Sequence, residues 1–358
     1  MIADDVKWMG EALALAQRAA GRTSPNPLVG ALVVAGGEAV GRGFHPRAGE
    51  AHAEVLALRD AGERARGSTV YTTLEPCNHT RRTGPCTDAL LAAGVRRVVV
   101  AMIDPDAQVS GQGIARLRQA GLAVDVGILE DAARRVNEFY IKHRTTGLPF
   151  VTLKWAMSLD GKIGVARSTE TSITGEDARR YAHELRNVYD AVLVGVGTVL
   201  ADDPELTCRL PGGRDPLRII VDSTLRAPSG ARIFNGARTL VVTTNAADPT
   251  RAEKLREAGV DVIVQAGVSR VALRPLFEEL GRRGVLSVLI EGGGTVNASA
   301  LADGLVDKVI ALVAPRLIGG EQAPTPVDGV GLPGGAALRD LRVWSLGADV
   351  AIEGYVGG

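Results

Sequence analysis

The sequence predicts a two-domain α/β protein. Three observations carry this: the length, an alternation of strand-like and helix-like segments, and a cluster of helix-breaking residues near the middle. A chain of 358 residues exceeds the roughly 100–200 of a single domain, so two cores are expected. Residues 143–149 collect small, polar and breaking residues that end in Gly147, Leu148 and Pro149. The boundary is placed there, giving domains at 1–146 and 147–358.

The first elements follow from spacing. Val6, Met9, Leu13 and Ala16 recur at helical intervals, with Asp4 or Asp5 available to cap and Gly21 to terminate. Residues 28–34 and 38–44 are strand-like and turn at Gly36-Gly37. Helix composition returns over 52–65, a strand over 68–74, a helix over 87–93 and a strand over 97–102. A helix over 114–120 and a strand over 124–129 follow, with a further helix from 130. Strands alternating with helices imply a layered α/β domain. Beyond the boundary, 150–156, 191–196, 217–221, 239–243, 260–264, 285–290 and 308–313 are strand-like, several with helical segments between them. This makes a second α/β sheet. The Gly/Pro-rich segment 319–335 is expected to be a surface loop.

Composition narrows the partners. Formal net charge is zero and only 4% of residues are aromatic, so neither bulk attraction to nucleic acid nor a base-stacking surface is implied. No apolar run reaches the ~20 residues of a membrane span, and acids occupy the N-terminus where a secretory signal carries basic residues. The expected partner is a small molecule and the expected compartment the cytoplasm, with no nucleic acid and no membrane. Three cysteines, Cys77, Cys86 and Cys208, suit reduced thiols better than a disulfide framework.

The chemistry is concentrated in His52-Ala53-Glu54, Pro76-Cys77 and Cys86. An imidazole and two thiolates form a three-ligand zinc set that leaves the fourth tetrahedral position open, as a catalytic site requires. Glu54, two residues from His52 on the same predicted helix, can reach that position without being a ligand, and can take and deliver protons there. The pattern is similar to the His-x-Glu and Pro-Cys-x-x-Cys signature of zinc deaminases, except that eight residues, 78–85, separate the cysteines here. Taken singly, His52 would be an ordinary histidine and each cysteine a buried apolar residue; their joint spacing points to zinc. Cys208 has no matching partner. In the second half, Gly195-Val196-Gly197-Thr198 is too short for a dinucleotide fingerprint. A strand running into Gly292-Gly293-Gly294, with a helix expected near Asn297, fits either a phosphate cradle or an ordinary turn.

The longer cysteine loop, Leu74-Glu75-Pro76-Cys77 and the segment 23–30 resemble the deaminase half of the bifunctional deaminase-reductases of riboflavin biosynthesis. Lys154 to Gly161, Val194 to Arg209 and Ile290 to Gly293 resemble the reductase half in order and spacing. The resemblance covers nearly the whole chain. It implies a cytidine-deaminase-like three-layer domain followed by a dihydrofolate-reductase-like α/β domain, with zinc and NADPH as cofactors and a homo-oligomeric state. Carried over residue by residue, it implies that Asn26 contacts the pyrimidine and that His79, Arg81 and Arg82 lie near its edge or phosphate. Ala156, Ser172, Thr198, Asp202, Ser223, Gly293, Gly294, Thr295, Val296, Asn297, Ala298 and Ser299 fall at nicotinamide-cofactor contacts, and Glu170, Arg186, Leu206, Arg209 and Glu291 at substrate contacts. Arg186 and Arg209 offer planar, permanent charges suited to a sugar phosphate. Asp202 either assists protonation during ring opening or is a turn carboxylate in Asp202-Asp203-Pro204.

The chain departs from that family at two places. Glu170 stands where a substrate-contacting serine is usual and Ser172 where a cofactor-contacting tryptophan is usual; Asp106-Ala107 replaces an Asn-Pro pair. Three readings follow: a bifunctional deaminase and reductase, a deaminase with a weakened or non-catalytic reductase-like domain, and a nucleic-acid deaminase with an unrelated second domain. The neutral charge, the few aromatics and the long cysteine loop disfavour the third.

Overall fold

The computed structural model of the chain describes residues 2–78, 84–166, 172–236 and 238–357. His79, Arg81, Arg82 and Glu170 lie outside the described residues. The chain divides into two compact units, Met1–Gly147 and Leu148–Gly358.

The first unit runs α1 (Ile2–Gln17), β1 (Gly30–Ala35), β2 (Glu38–Phe44), α2 (Ala53–Ala61), β3 (Thr69–Thr72), α3 (Cys86–Ala92), β4 (Arg97–Val100), α4 (Gln112–Gln119), β5 (Ala123–Val126), α5 (Glu130–Val136) and α6 (Glu138–Thr146). Gly36 and Gly37, at φ 58° and 81°, supply the two left-handed residues that a tight hairpin turn between β1 and β2 needs. The strands order as β2-β1-β3-β4-β5, with β1 antiparallel to both neighbours and β3, β4 and β5 parallel. Alternation along the strands feeds two cores. Ala31, Val33, Val98 and Val100 meet Ala53, Ala57 and Ala61 of α2, Leu90 of α3 and Leu117 of α4. Leu32, Val34 and Val99 meet Met9, Ala12 and Leu13 of α1 and Ala133 of α5. Two helical layers therefore enclose one sheet.

The opening helix differs from expectation at its ends. It begins at Ile2, so Asp4 and Asp5 lie in its first turn, and it stops at Gln17, four residues before Gly21. Asp5 does not cap: its carboxylate accepts from Tyr71 Oη at 2.7 Å and from Arg97 Nη1 and Nη2 at 2.8 and 2.9 Å. That hydrogen bonding from Arg97 holds the carboxyl below its ordinary range. Met9, Leu13 and Ala16 are buried, whereas Val6 is 42% exposed and lies off the apolar stripe.

The second unit contains β6 (Phe150–Ser158), α7 (Glu176–Val188), β7 (Ala191–Gly195), α8 (Val196–Asp202), β8 (Leu217–Val221), β9 (Thr239–Thr244), α9 (Pro249–Glu257), β10 (Asp261–Gln265), α10 (Leu273–Arg282), β11 (Ser287–Gly292), α11 (Gly294–Ala302), β12 (Lys308–Ala314), β13 (Leu338–Leu346) and β14 (Asp349–Val356). Among the described residues its sheet orders β10-β9-β8-β7-β11-β6-β12-β14-β13. The run from β10 to β12 is parallel and the β13–β14 hairpin adds antiparallel strands. Strand order outward from β7 reverses at β11, so loops after β7, β8 and β11 gather at the carboxyl ends of neighbouring strands, where open α/β sheets bind ligands.

Two features of this unit were not expected. The β13–β14 hairpin is absent from the sequence reading because β13 buries almost nothing: Leu341 and Val343 are 59% and 64% exposed. Its register also shifts between Arg339 and Arg342, around a left-handed Asp340 at φ 52°, so neither a buried face nor clean alternation marks it. The last helix of the glycine turn starts at Gly294 rather than near Asn297, because a left-handed Gly293, φ 91°, ends the strand and caps the helix at once.

Candidate active sites

In the first unit, His52 is the N-cap of α2 and Glu54 sits in that helix's first turn. The helix lies directly on β2. A Cβ added at Gly41 would stand 2.2 Å from Ala57 O, and one at Gly43 would stand 2.3 Å from Ala53 O, so only glycines allow this approach. Cys77 follows β3 in a loop, and Cys86 is the first residue of α3. Backbone N–H groups at a helix start favour a thiolate, and that of Cys86 donates to Cys77 Sγ at 3.4 Å. The Pro76-Cys77 segment is anchored from beneath. Gly113 of α4 lies so close to Pro76 O that an added Cβ would come within 2.0 Å. The buried Glu75 carboxylate accepts from the N–H groups of Gly111, Gly113 and Ile114, and from that of Asp104, at 2.8–3.3 Å.

The donor atoms of His52, Cys77 and Cys86 lie within 4.8 Å of one another. His52 Nδ1 is 3.2 Å from Cys86 Sγ and 3.4 Å from Cys77 Sγ. A tetrahedral zinc about 2.0–2.3 Å from each ligand needs donors roughly 3–4 Å apart, so the set fits the ion. Donation from Cys86, then from His52, holds the Cys77 thiol down to about 4. Cys86 is correspondingly raised. Glu54 is buried beside them, and burial, followed by the Cys77 charge, pushes its carboxyl up to about 7.

His52, Cys77 and Glu54 line a cavity of about 460 Å³, whose wall also includes Asn26, His45, Asp104, Asp106, Tyr140 and Arg144. Tyr140 Oη donates to Asp104 at 3.2 Å, and Arg144 stands 3.8 Å from Asp106 and over the Tyr140 ring. Asn26, singled out in the sequence, lies on this wall; His45, Tyr140 and Arg144, which lie on it too, were not singled out. None sits in a recognisable local motif, and they reach the cavity from β2's end and α6. Burial lowers the His45 imidazole from its ordinary range.

In the second unit, a cavity of about 720 Å³ is lined by Gly195 at the end of β7, Gly197, Thr198 and Asp202 after it, Ser223, Thr224 and Arg226 after β8, and Ser269 and Arg270 after β10. Gly293, Gly294, Thr295, Val296 and Ser299 complete it at the β11–α11 turn. The loops touch: a Cβ at Gly195 would come 2.9 Å from Val296 Cγ2, and one at Gly292 would come 2.9 Å from Thr198 Oγ1.

Comparison with known proteins then settles the lineage. Residues 2–102 match the family described as "Cytidine and deoxycytidylate deaminase zinc-binding region", and residues 149–352 match the family described as "RibD C-terminal domain". The riboflavin biosynthesis protein RibD of Synechocystis sp. is 44% identical over 366 residues, covering 100% of this chain and 98% of that one. That of Aquifex aeolicus is 42% identical over 351 residues, covering 97% of each. RibD of Acinetobacter baumannii superposes with a TM-score of 0.90 at 37% identity and full coverage of both chains. A diaminohydroxyphosphoribosylaminopyrimidine deaminase/5-amino-6-(5-phosphoribosylamino)uracil reductase from Thermotoga maritima superposes with a TM-score of 0.87 at 34% identity, covering 99% of each.

The chain belongs to the RibD family. It is therefore a bifunctional enzyme of riboflavin biosynthesis, a zinc-binding deaminase with a cytidine-deaminase-like fold joined to a dihydrofolate-reductase-like reductase. Nothing in the comparisons favours the reading in which the second half has decayed.

The reductase residues carried over from sequence fall into two groups. Thr198, Asp202, Ser223, Gly293, Gly294, Thr295, Val296 and Ser299 meet at the cavity. Ala156, Ser172, Asn297 and Ala298 are not on its wall. Ala156 packs against Ile310, Leu312 and Ala351; Ser172 Oγ accepts from Arg179 at 3.3 Å; buried Asn297 donates through Nδ2 to Pro326 O at 2.8 Å. Among the substrate residues, Leu206 is buried and packs with Val199 and Ile220. Arg209 is exposed. Arg186, read from sequence as a donor to a sugar phosphate, also bonds to protein groups. Its Nε and Nη2 lie 2.6 and 2.9 Å from the Glu291 carboxylate, and Nη1 donates to Thr207 O at 3.2 Å. Lys154 Nζ adds 3.1 Å to the same carboxylate. Burial alone would raise Glu291, but the charges of Arg186 and Lys154 hold it well below the usual carboxylate range.

Proposed function

We propose that the first cavity deaminates a phosphorylated diaminopyrimidinone ribosylamine, and that the second reduces the ribosyl group of the product to ribityl with NADPH. The observation that carries the first half is the convergence of His52, Cys77 and Cys86 beside a buried Glu54, with His52, Cys77 and Glu54 lining one cavity. In this reading those three residues hold the zinc, which when bound lowers the pKa of a coordinated water toward 7. Glu54 takes a proton from the attacking water and delivers protons to a ring nitrogen and the departing amine. The carbon–nitrogen bond breaks, a carbonyl forms and ammonia leaves. Asn26 and Asp104 orient the ring edge.

In the second cavity, NADPH when bound supplies the hydride. The first-turn N–H groups of α11, at 294–296, have no partner within the helix and can receive phosphate oxygens. Arg226 and Arg270 place positive charge on the wall beside Ser223, which suits the extra phosphate of NADPH over NADH. Asp202 protonates the opening sugar. The Lys154-Glu291-Arg186 cluster fixes the strand edge where the substrate lies.

This reading predicts an order of events. With substrate and no coenzyme, the chain should release ammonia and stop. Adding NADPH should then consume about one coenzyme per ammonia, and NADH should serve far less well. NADPH loss without ammonia release, or release that requires coenzyme, would contradict it.

We also infer a homo-oligomer, supported by the exposed apolar edge strand β13. Sedimentation at the 37.4 kDa of one chain at micromolar concentration would contradict that. No helix among the described residues is long and apolar enough to cross a membrane. We assign the chain to the cytoplasm, where its three free cysteines stay reduced.

A further inference from the structure

We propose that His45 is a positioning residue for the deaminase. It locks the side-chain amide of Asn26 so that Oδ1 faces the cavity and accepts a hydrogen bond from an N–H of the bound pyrimidinone. The proposal rests on the deaminase reading of that cavity and adds to it the residue that sets its recognition edge.

His45 follows directly on β2 and is 3% exposed. Its backbone N–H donates to Val29 O at 2.9 Å, so it is tied to the segment that leads into β1. The ring makes two hydrogen bonds. Nδ1 stands 3.1 Å from Ala51 O, a carbonyl that only accepts, so Nδ1 carries the proton. A neutral imidazole then has a lone pair at Nε2, and Nε2 stands 3.0 Å from Asn26 Nδ2, which only donates. Each contact demands the same tautomer. Turning the Asn26 amide over would set Oδ1 against that lone pair, so the orientation is enforced rather than chosen by the ligand. The ring plane is itself held, edge to face on His52 with centroids 5.4 Å apart and planes at 82°.

The Asn26 backbone has little freedom of its own. It lies between Pro25 and Pro27, and its N–H donates to Thr23 O at 2.8 Å. With one amide hydrogen spent on His45, the cavity sees a carbonyl oxygen. Glu54, Asp104 and Asp106 on the same wall are carboxylates. A lining this rich in oxygen selects a ring that presents N–H groups, which is the edge of an aminopyrimidinone.

The test compares His45→Leu, which removes both ring contacts, with His45→Gln. A glutamine amide can still accept from Asn26 through Oε1 and donate to Ala51 O through Nε2. Steady-state ammonia release, bound zinc per chain and calorimetric binding of isocytosine, a pyrimidinone with the same edge, are measured for both. Losing an oriented hydrogen bond in ground-state binding should raise KM by about tenfold in His45→Leu, while kcat stays within about threefold. Zinc should be retained, isocytosine binding should weaken in the same ratio, and His45→Gln should recover KM to within about threefold of the unmodified chain. An unchanged KM and unchanged isocytosine binding in His45→Leu would overturn the proposal. So would a His45→Gln variant as impaired as His45→Leu, or loss of zinc from both. If the unmodified chain releases no ammonia but its isocytosine binding is lost with Leu and restored with Gln, the deaminase reading fails and the positioning role stands.

Discussion

Cys77→Ala should yield a chain with no bound zinc and no measurable ammonia release, while NADPH oxidation on the separately supplied deaminated product continues. The three donor atoms are all that the described residues offer to the ion, and a catalytic zinc with two protein ligands is poorly held. Changes one shell further out already cost about 10–100-fold in metal affinity, so loss of a thiolate should exceed that range. The backbone supports the same outcome. The Cys77 sulfur receives the Cys86 N–H and, with His52, defines the space the ion fills. Metal analysis and an ammonia assay on one preparation decide it. A Cys77→Ala chain that keeps one zinc would show that the ligand set lies elsewhere.

The zinc set was legible in the sequence because its chemistry is compressed into short motifs. His52 and Glu54 share one helix start, and Pro76-Cys77 and Cys86 flank one loop. The parallel strands were legible because their buried runs of Val, Ile and Leu are bounded by turn residues. What escaped depends on contacts between distant parts of the chain. Glu291 meets Arg186 across 105 residues and Lys154 across 137, and nothing near Arg186 announces these bonds. His45 reaches Asn26 because the antiparallel pairing of β1 with β2 carries on to His45 and Val29, three residues after Asn26. The β13–β14 hairpin escaped for a third reason. An edge strand with both faces largely exposed has no apolar alternation to display.

Glu54→Gln should separate chemistry from metal binding. The glutamine is isosteric, so His52, Cys77 and Cys86 keep their places and zinc should remain at about one per chain. Deamination should fall by at least ~100-fold, the range attributed to positioned acid–base groups. The side chain is 3% exposed in the first turn of α2, beside the sulfurs but outside the convergent donor set. In the proposed mechanism it moves protons rather than coordinating the metal. Near-normal ammonia release with zinc retained would remove Glu54 from the mechanism, and loss of zinc would make it a ligand.

The central claim is that one chain carries two separable chemistries, each in its own unit. The most direct test is to give Glu54→Gln both substrates in turn and follow both products. With the diaminopyrimidinone precursor and NADPH, the account predicts neither ammonia release nor coenzyme loss above about a hundredth of the unmodified rate, because the first step gates the second. With the deaminated intermediate, it predicts NADPH consumption at the rate of the unmodified chain. If that second rate falls together with deamination, the reductase does not stand on its own cavity and the account is wrong.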